Sequence, residues 1–321
     1  MSGVLTWMKQ DFERVASTIP VLQQTSQRTF QARFSIILEA FLTGYNAALA
    51  DRTLHIQAIQ ESLDNQYDPY YVGFAYEGLG MGLGARTLRY PSEISSLEHQ
   101  FKRFSPRYMY QYYVGLGWWM HTRYGFRPKP YQQWLSRLDP LYGSIVFDGV
   151  GFRSGIWKLA IEGDRLLARF RQLGYEAERT CLQGLGRSIW FLGECNLLKA
   201  LQLVESLPKS HQPDVCSGLG LAVGYTEFED LKWMLSLQEW VPQELRISYQ
   251  QGLAFGLYAR KRQMNGFIHW IDCYADSISK PVHAYLDIVT RSYETMQQTD
   301  VPYTYSHWLD DVRSRLEAMN V

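Results

Sequence analysis

The chain has 321 residues, and its 32 lysines and arginines are balanced by 32 aspartates and glutamates, so no overall field draws it to nucleic acid or to an anionic membrane. Four cysteines, Cys181, Cys195, Cys216 and Cys273, lack the dense spacing of a disulfide framework, which makes a reduced, cytoplasmic chain the expectation. Residues 1–20 mix Leu5 and Trp7 with Lys9, Asp11, Glu13 and Arg14, unlike a signal peptide, and no uncharged apolar run reaches the roughly 18 residues of a membrane span.

Residues 1–40 read as a helical lead-in. Then comes Thr43-Gly44-Tyr45-Asn46, on a helix whose Leu38, Phe41, Leu42 and Tyr45 share one face. Related blocks follow along the chain: Glu77-Gly78-Leu79-Gly80, Val114-Gly115-Leu116-Gly117, Asp148-Gly149-Val150-Gly151, Gln183-Gly184-Leu185-Gly186, Ser217-Gly218-Leu219-Gly220 and Gln251-Gly252-Leu253-Ala254. Their first glycines stand 34, 37, 34, 35, 34 and 34 residues apart. Between them lie more polar helical stretches, Arg52 to Leu63, Ile94 to Phe104 and Tyr131 to Leu138, and one from Leu197 to Leu207 with Asn196 as its cap. Pro213 and Pro242 open the later glycine helices.

This period is that of α-hairpin arrays. The predicted fold is all-α: a right-handed, tetratricopeptide-like solenoid of about seven repeats over residues 41–275, closed by a C-terminal cap over 276–321, the whole chain forming one domain. A glycine inside a helix costs about 1 kcal/mol relative to alanine, so the repeated glycines require a compensating gain, which close approach of neighbouring helices supplies. Gly80-Met81-Gly82-Leu83-Gly84-Ala85 formally fits a dinucleotide fingerprint, but no strand pattern precedes it and Pro91 follows too soon.

The residue before each first glycine is polar in six of seven blocks. Equivalent positions of a repeat stack, so these side chains form a row in which Glu77 and Asp148 are the ionisable members and the candidate acid and base. Arg153 and Arg187 lie within reach of the row to pair with it or to hold an anion. The 10 Trp, 22 Tyr and 15 Phe suit an apolar or conjugated ligand. Tyr112, Trp118, Trp119, Phe152 and Trp190 are the candidate lining, and Arg187, Gln183 and Gln251 its polar contacts. His269 and Cys273 share a helix face beside Asp272 and Asp276, a local hydrogen-bond cluster rather than a zinc site. The residues name no metal and no cofactor.

The blocks Phe41-Leu42-Thr43-Gly44-Tyr45-Asn46, Gly73-Phe74-Ala75-Tyr76-Glu77-Gly78, Phe147-Asp148-Gly149-Val150-Gly151-Phe152 and Gly184-Leu185-Gly186-Arg187-Ser188-Ile189-Trp190-Phe191 resemble a bacterial domain-of-unknown-function family, number 1702, met in gene sets for enediyne polyketides. The resemblance covers about residues 30 to 280. It implies a role beside a polyketide synthase, handling a linear conjugated polyene, and supplies no catalytic residues. Three functions are therefore in play: a biosynthetic accessory protein that binds and helps modify a polyene or acyl chain, a scaffold that holds a synthase or another protein, and an acid-initiated polyene cyclase. An enclosed aromatic cavity with a buried Glu77 or Asp148 favours the first; an open polar face favours the second.

Overall fold

The computed structural model describes residues 5–50, 52–298 and 303–319, and the regular structure in them is helical. Two short helices, α1 (Phe12–Ala16) and α2 (Pro20–Gln24), precede α3 (Arg28–Ala48). The polar α4 (Ile56–Gln66) leads to α5 (Pro69–Arg86), and α6 (Leu97–Phe104) to α7 (Met109–Tyr124). Next come α8 (Pro128–Leu135), α9 (Pro140–Gly143), the long α10 (Val146–Arg171) and α11 (Tyr175–Leu192). The last units are α12 (Leu197–Glu205), α13 (Gln212–Thr226), α14 (Leu231–Ser236), α15 (Gln243–Gln263) and α16 (Phe267–Asp272), followed by α17 (Asp276–Gln297) and α18 (Tyr305–Met319).

Local chemistry sets these boundaries. Asp68 accepts the Tyr70 N–H at 2.9 Å with Pro69 at the first helical position, and Asn196 and Asp230 cap α12 and α14 through the N–H groups of Lys199 and Trp233. The helix expected from Tyr131 begins instead at Pro128, because proline suits a first turn where the missing N–H would have no partner. No short outer helix separates α10 from α11. The chain turns there through Gly174, whose φ of +106° only glycine adopts without strain.

The glycine blocks all lie inside helices, α3, α5, α7, α10, α11, α13 and α15, and each of these packs on the next. The reason is steric and repeats down the series. A Cβ on Gly115 would overlap the carbonyl oxygen of Glu77, and one on Gly149 that of Val114; Gly184 stands in this way against Asp148, Gly218 against Gln183, and Gly252 against Ser217. The second glycines face forward: Gly80 meets the Tyr112 carbonyl, Gly117 that of Val146, Gly151 that of Cys181, Gly186 that of Val215, and Gly220 that of Tyr249. Each helix thus holds its neighbour through glycine on one side and a backbone oxygen on the other, and weak Cα–H···O contacts accompany the close approach.

The same contacts correct the register of the first repeat. Gly78 meets the carbonyl of Phe41, and Gly44 meets that of Ala75, so Gly44 is the equivalent of a second glycine and Phe41, not Thr43, holds the row position. Thr43 bonds the Tyr67 hydroxyl at 2.7 Å instead.

The series then closes on itself. Arg33 of α3 pairs with Glu227 at 3.1 Å and reaches the carbonyl of Thr226 at the end of α13. Arg260 of α15 is fully buried, donates to the carbonyls of Tyr225 at 2.7 Å, Pro69 at 3.3 Å and Tyr70 at 3.0 Å, and stacks over the Tyr225 and Phe228 rings. Phe34 meets Phe191, and Phe74 meets Tyr225. First and last repeats therefore share one interior. On one side α18 covers it: Asp310 pairs with Arg179 at 2.6 Å, Arg313 with Asp214 at 3.1 Å, and the Tyr305 N–H bonds Ser144 at 3.0 Å.

Gly184→Ala is expected to lower stability in urea titrations by about 1–3 kcal/mol through overpacking, despite a helix-propensity gain of about 1 kcal/mol. Gly163, within α10 with nothing inside 4 Å of its added Cβ, is the control. Gly163→Ala is expected to raise stability by about 0.5–1 kcal/mol.

Candidate functional site

Five of the row residues, Glu77, Asp148, Gln183, Ser217 and Gln251, are buried in the shared interior. Each carries a backbone carbonyl that meets a glycine of the following helix or, for Gln251, lies beside one, so the polar side chains are fixed by the same packing that sets the helices. The C-terminal three are partly satisfied among themselves and by α18: Gln183 donates to Ser217 at 3.0 Å, and Arg313 reaches the Gln251 oxygen at 3.4 Å, while the Gln183 oxygen and the Gln251 nitrogen have no partner among the described residues. The N-terminal two are ionisable and converge on one cation.

That cation is Arg187 of α11. One Nη bonds a carboxylate oxygen of Asp148, and the other lies 3.5 Å from Glu77. The second Asp148 oxygen accepts from the Tyr110 hydroxyl at 2.9 Å. The guanidinium lies over the Phe152 ring at 4.6 Å and the Tyr110 ring at 5.6 Å. One positive charge thus faces two carboxylates in a site closed to water. Burial, the larger influence, pushes Glu77 up from 4.5 to about 7, with Arg187 pulling it down and Asp148 pushing it up further. Burial likewise raises Asp148, opposed by Arg187 and by the Tyr110 hydrogen bond. Burial disfavours the charge on Arg187, but Asp148, Tyr110 and Glu77 outweigh it and the guanidinium stays charged.

Cavities lie on both sides of this cluster. Arg187 and Tyr110 line a narrow cleft of about 40 Å³, walled by Leu221, Tyr225, Phe255 and Trp308, with Arg107 and Arg262 also on its wall. Glu77 lines a second, small cavity of about 30 Å³ whose other walls are Ile19, Phe34, Ile37, Leu38, Phe41, Phe74, Trp118, Phe152 and Ile156. Leu38, Phe41 and Trp118 also line a wider groove of about 220 Å³ that reaches Arg14, Arg153 and Trp157. Arg187 thus lines one space and Glu77 the other, while Asp148 lines neither. The cluster offers a proton on a buried carboxyl, a base that keeps its partner, and aromatic faces beside both.

The aromatic residues singled out in the sequence divide. Trp118 and Phe152 meet edge to face at 5.4 Å and line the small cavity beside Glu77. Tyr112 stacks on Phe101 of α6 at 4.7 Å, and Trp119 meets Trp134 of α8 at 5.3 Å; both fill the layer between inner and outer helices. Trp190 is fully buried and donates to Thr226 at 3.0 Å. Tyr110, Phe34, Phe74 and Tyr305, which the sequence reading did not place at the site, lie around it. Tyr110 alone carried a local signal, as one member of the tyrosine-rich run before Gly115. Away from the site, Cys273 donates to the carbonyl of His269 at 3.4 Å, while Asp272 pairs with His283 at 2.7 Å. Among the described residues no group of three His, Cys, Asp or Glu side chains is placed to hold a metal ion, and no helix is long and apolar enough to cross a membrane.

The raised carboxyl of Glu77 has a consequence for stability. Between about 4.5 and 7 the folded chain holds a proton there that the unfolded chain releases, so stability falls as pH rises through that interval. Glu77→Gln, which keeps the shape without the charge, is expected to flatten this slope, with urea midpoints at pH 5 and pH 8 differing less than in the parent. An unchanged difference would place the buried proton elsewhere.

Over residues 13–316 the chain matches the family described as protein of unknown function, DUF1702, and it belongs to that family. No curated protein and no solved structure matches it.

Proposed function

We propose that this DUF1702 chain acts as a single helical domain that encloses a linear, apolar polyene or acyl chain and takes part in its conversion, beside a polyketide synthase of the enediyne type in a reduced cytoplasm. The observation that carries the reading is the Arg187–Glu77–Asp148 cluster, buried where two apolar cavities meet. A soluble fold keeps unequal buried charges at a cost of several kcal/mol, and a carboxyl held near neutrality between apolar walls is the arrangement general acids use.

Glu77 and Asp148 are the proposed catalytic pair. Protonated Glu77 gives its proton to a terminal carbon of a double bond: the O–H bond breaks, a C–H bond forms from the π pair, and the cation left behind spreads along the conjugated chain. The faces of Phe152 and Trp118 stabilise that cation. Arg187 takes up the Glu77 carboxylate, and loss of a proton from a neighbouring carbon to Asp148 completes a redox-neutral isomerisation or cyclisation. Trp118, Phe152 and Arg187 contact the ligand in this scheme; Gln183 and Gln251 hold the polar row, and Tyr112, Trp119 and Trp190 support the walls from behind.

The test is native mass spectrometry of protein purified from a host that co-expresses the neighbouring synthase, for the parent, Glu77→Gln and Asp148→Asn. A bound species of polyene mass is expected, with its mass or amount changed in either variant. An empty chain that co-purifies with a synthase subunit would sink the ligand reading and leave the scaffold.

A further inference from the structure

Several of the covered arginines of this chain are neutralised. Arg33, Arg86, Arg179 and Arg187 each pair with a carboxylate, and Arg260 donates to three carbonyls. Arg153 of α10, although largely covered, has no carboxylate within ion-pair distance among the described residues. Its partners are the Nδ1 of His121 at 3.1 Å and the face of Trp157 at 5.2 Å. His121 offers no negative charge. Burial first, then the cations Arg153, Lys158 and Arg169, push it down to about 3, so it is neutral and accepts from Arg153. Burial also lowers Arg153 itself, the mark of a cation whose counter-charge is missing.

This arginine lines the groove of about 220 Å³, and three of that groove's walls, Leu38, Phe41 and Trp118, also wall the small cavity lined by Glu77. Trp118, on the same wall, has a buried indole N–H without an acceptor among the described residues. A cation without a carboxylate and an indole N–H without an acceptor therefore stand in one mainly apolar groove. Arg153 is five residues from Asp148 on α10, about 7.5 Å along the helix axis, so a short run of chain bridges from it to the charged cluster.

We infer that Arg153 holds the oxyanion head of an anionic amphipath, a carboxylate or phosphate on an unbranched apolar tail, and that the tail runs inward past Trp118 to Glu77. A guanidinium presents the paired donors such a head accepts. This inference rests on the ligand-enclosing reading above and fixes the direction in which the chain enters.

The probe is parinaric acid, a conjugated fatty acid that fluoresces on entering apolar surroundings, compared with its methyl ester at pH 8. Parent protein is expected to bind the acid at least about tenfold more tightly than the ester, the scale of a charge-assisted hydrogen bond. Arg153→Gln is expected to remove that preference and leave ester binding unchanged, and Arg153→Lys to restore part of it. Displacement of bound parinarate by palmitate or by hexadecyl phosphate then separates the two heads, and either one displacing supports the oxyanion site. Equal binding of acid and ester by the parent overturns the head-group inference while leaving the enclosed-chain reading intact. Binding of neither overturns both. If Arg153→Gln fails to fold by circular dichroism, the acid-against-ester comparison in the parent still decides.

Discussion

Everything in this molecule depends on glycine meeting a backbone carbonyl across the interface of two helices. The contact is repulsive to any side chain, and it recurs from Gly78 against Phe41 to Gly252 against Ser217. Helices that lack a Cβ on the facing side approach more closely than ordinary ridge-and-groove packing allows. The helix-propensity cost of the glycines is offset where dispersion is gained along six successive interfaces. That closeness also fixes rotation about each helix axis. The residue before a first glycine is then turned inward at every repeat, and the polar row is a by-product of the packing rule.

Inward rotation puts ionisable groups where water cannot follow, and the interior meets this with unequal numbers of charges. One arginine serves Glu77 and Asp148, and Tyr110 supplies the remaining hydrogen bond. A pair of opposite charges would have satisfied the packing as well. The surplus carboxyl has no structural use that the neighbouring contacts reveal, and it stands beside Phe152 and Trp118 with unfilled space in front of it. A ligand in one cavity meets Arg187 and a ligand in the other meets Glu77, so the ion pair connects the two spaces.

The glycine spacing carried most of the fold. Helix class, the interior position of the glycines, the cap at Asn196, and the stacking of positions such as Glu77 and Asp148 are local or periodic properties, and a period is visible along one chain. What was not visible depends on contact between distant repeats. Phe34 with Phe191, Phe74 with Tyr225 and Arg260 with Tyr70 are separated by more than a hundred residues, and no local pattern marks which aromatic ring turns to the centre. Tyr112 and Trp119 illustrate this: their spacing places them on one face of α7, but which layer that face meets is decided by α6 and α8. The register of the first block failed for a related reason. Gly44 has no glycine partner two residues away, and only the carbonyl it touches says which of the two glycines it replaces.

The locks formed by Arg33 and Arg260 set this chain apart from open repeat arrays. In an open array a unit can be added or lost at modest cost, because each one answers only to its neighbours. Here a unit inserted between α7 and α10 would carry α13, with Thr226 and Glu227, away from Arg33, and α15 away from Pro69 and Tyr70, so both arginines would lose partners across the closure. Repeat number is therefore a fixed dimension of the molecule, like the circumference of a ring. Gene duplication, the usual route by which repeat proteins change length, is closed to it, and variation must come from side chains within a constant frame.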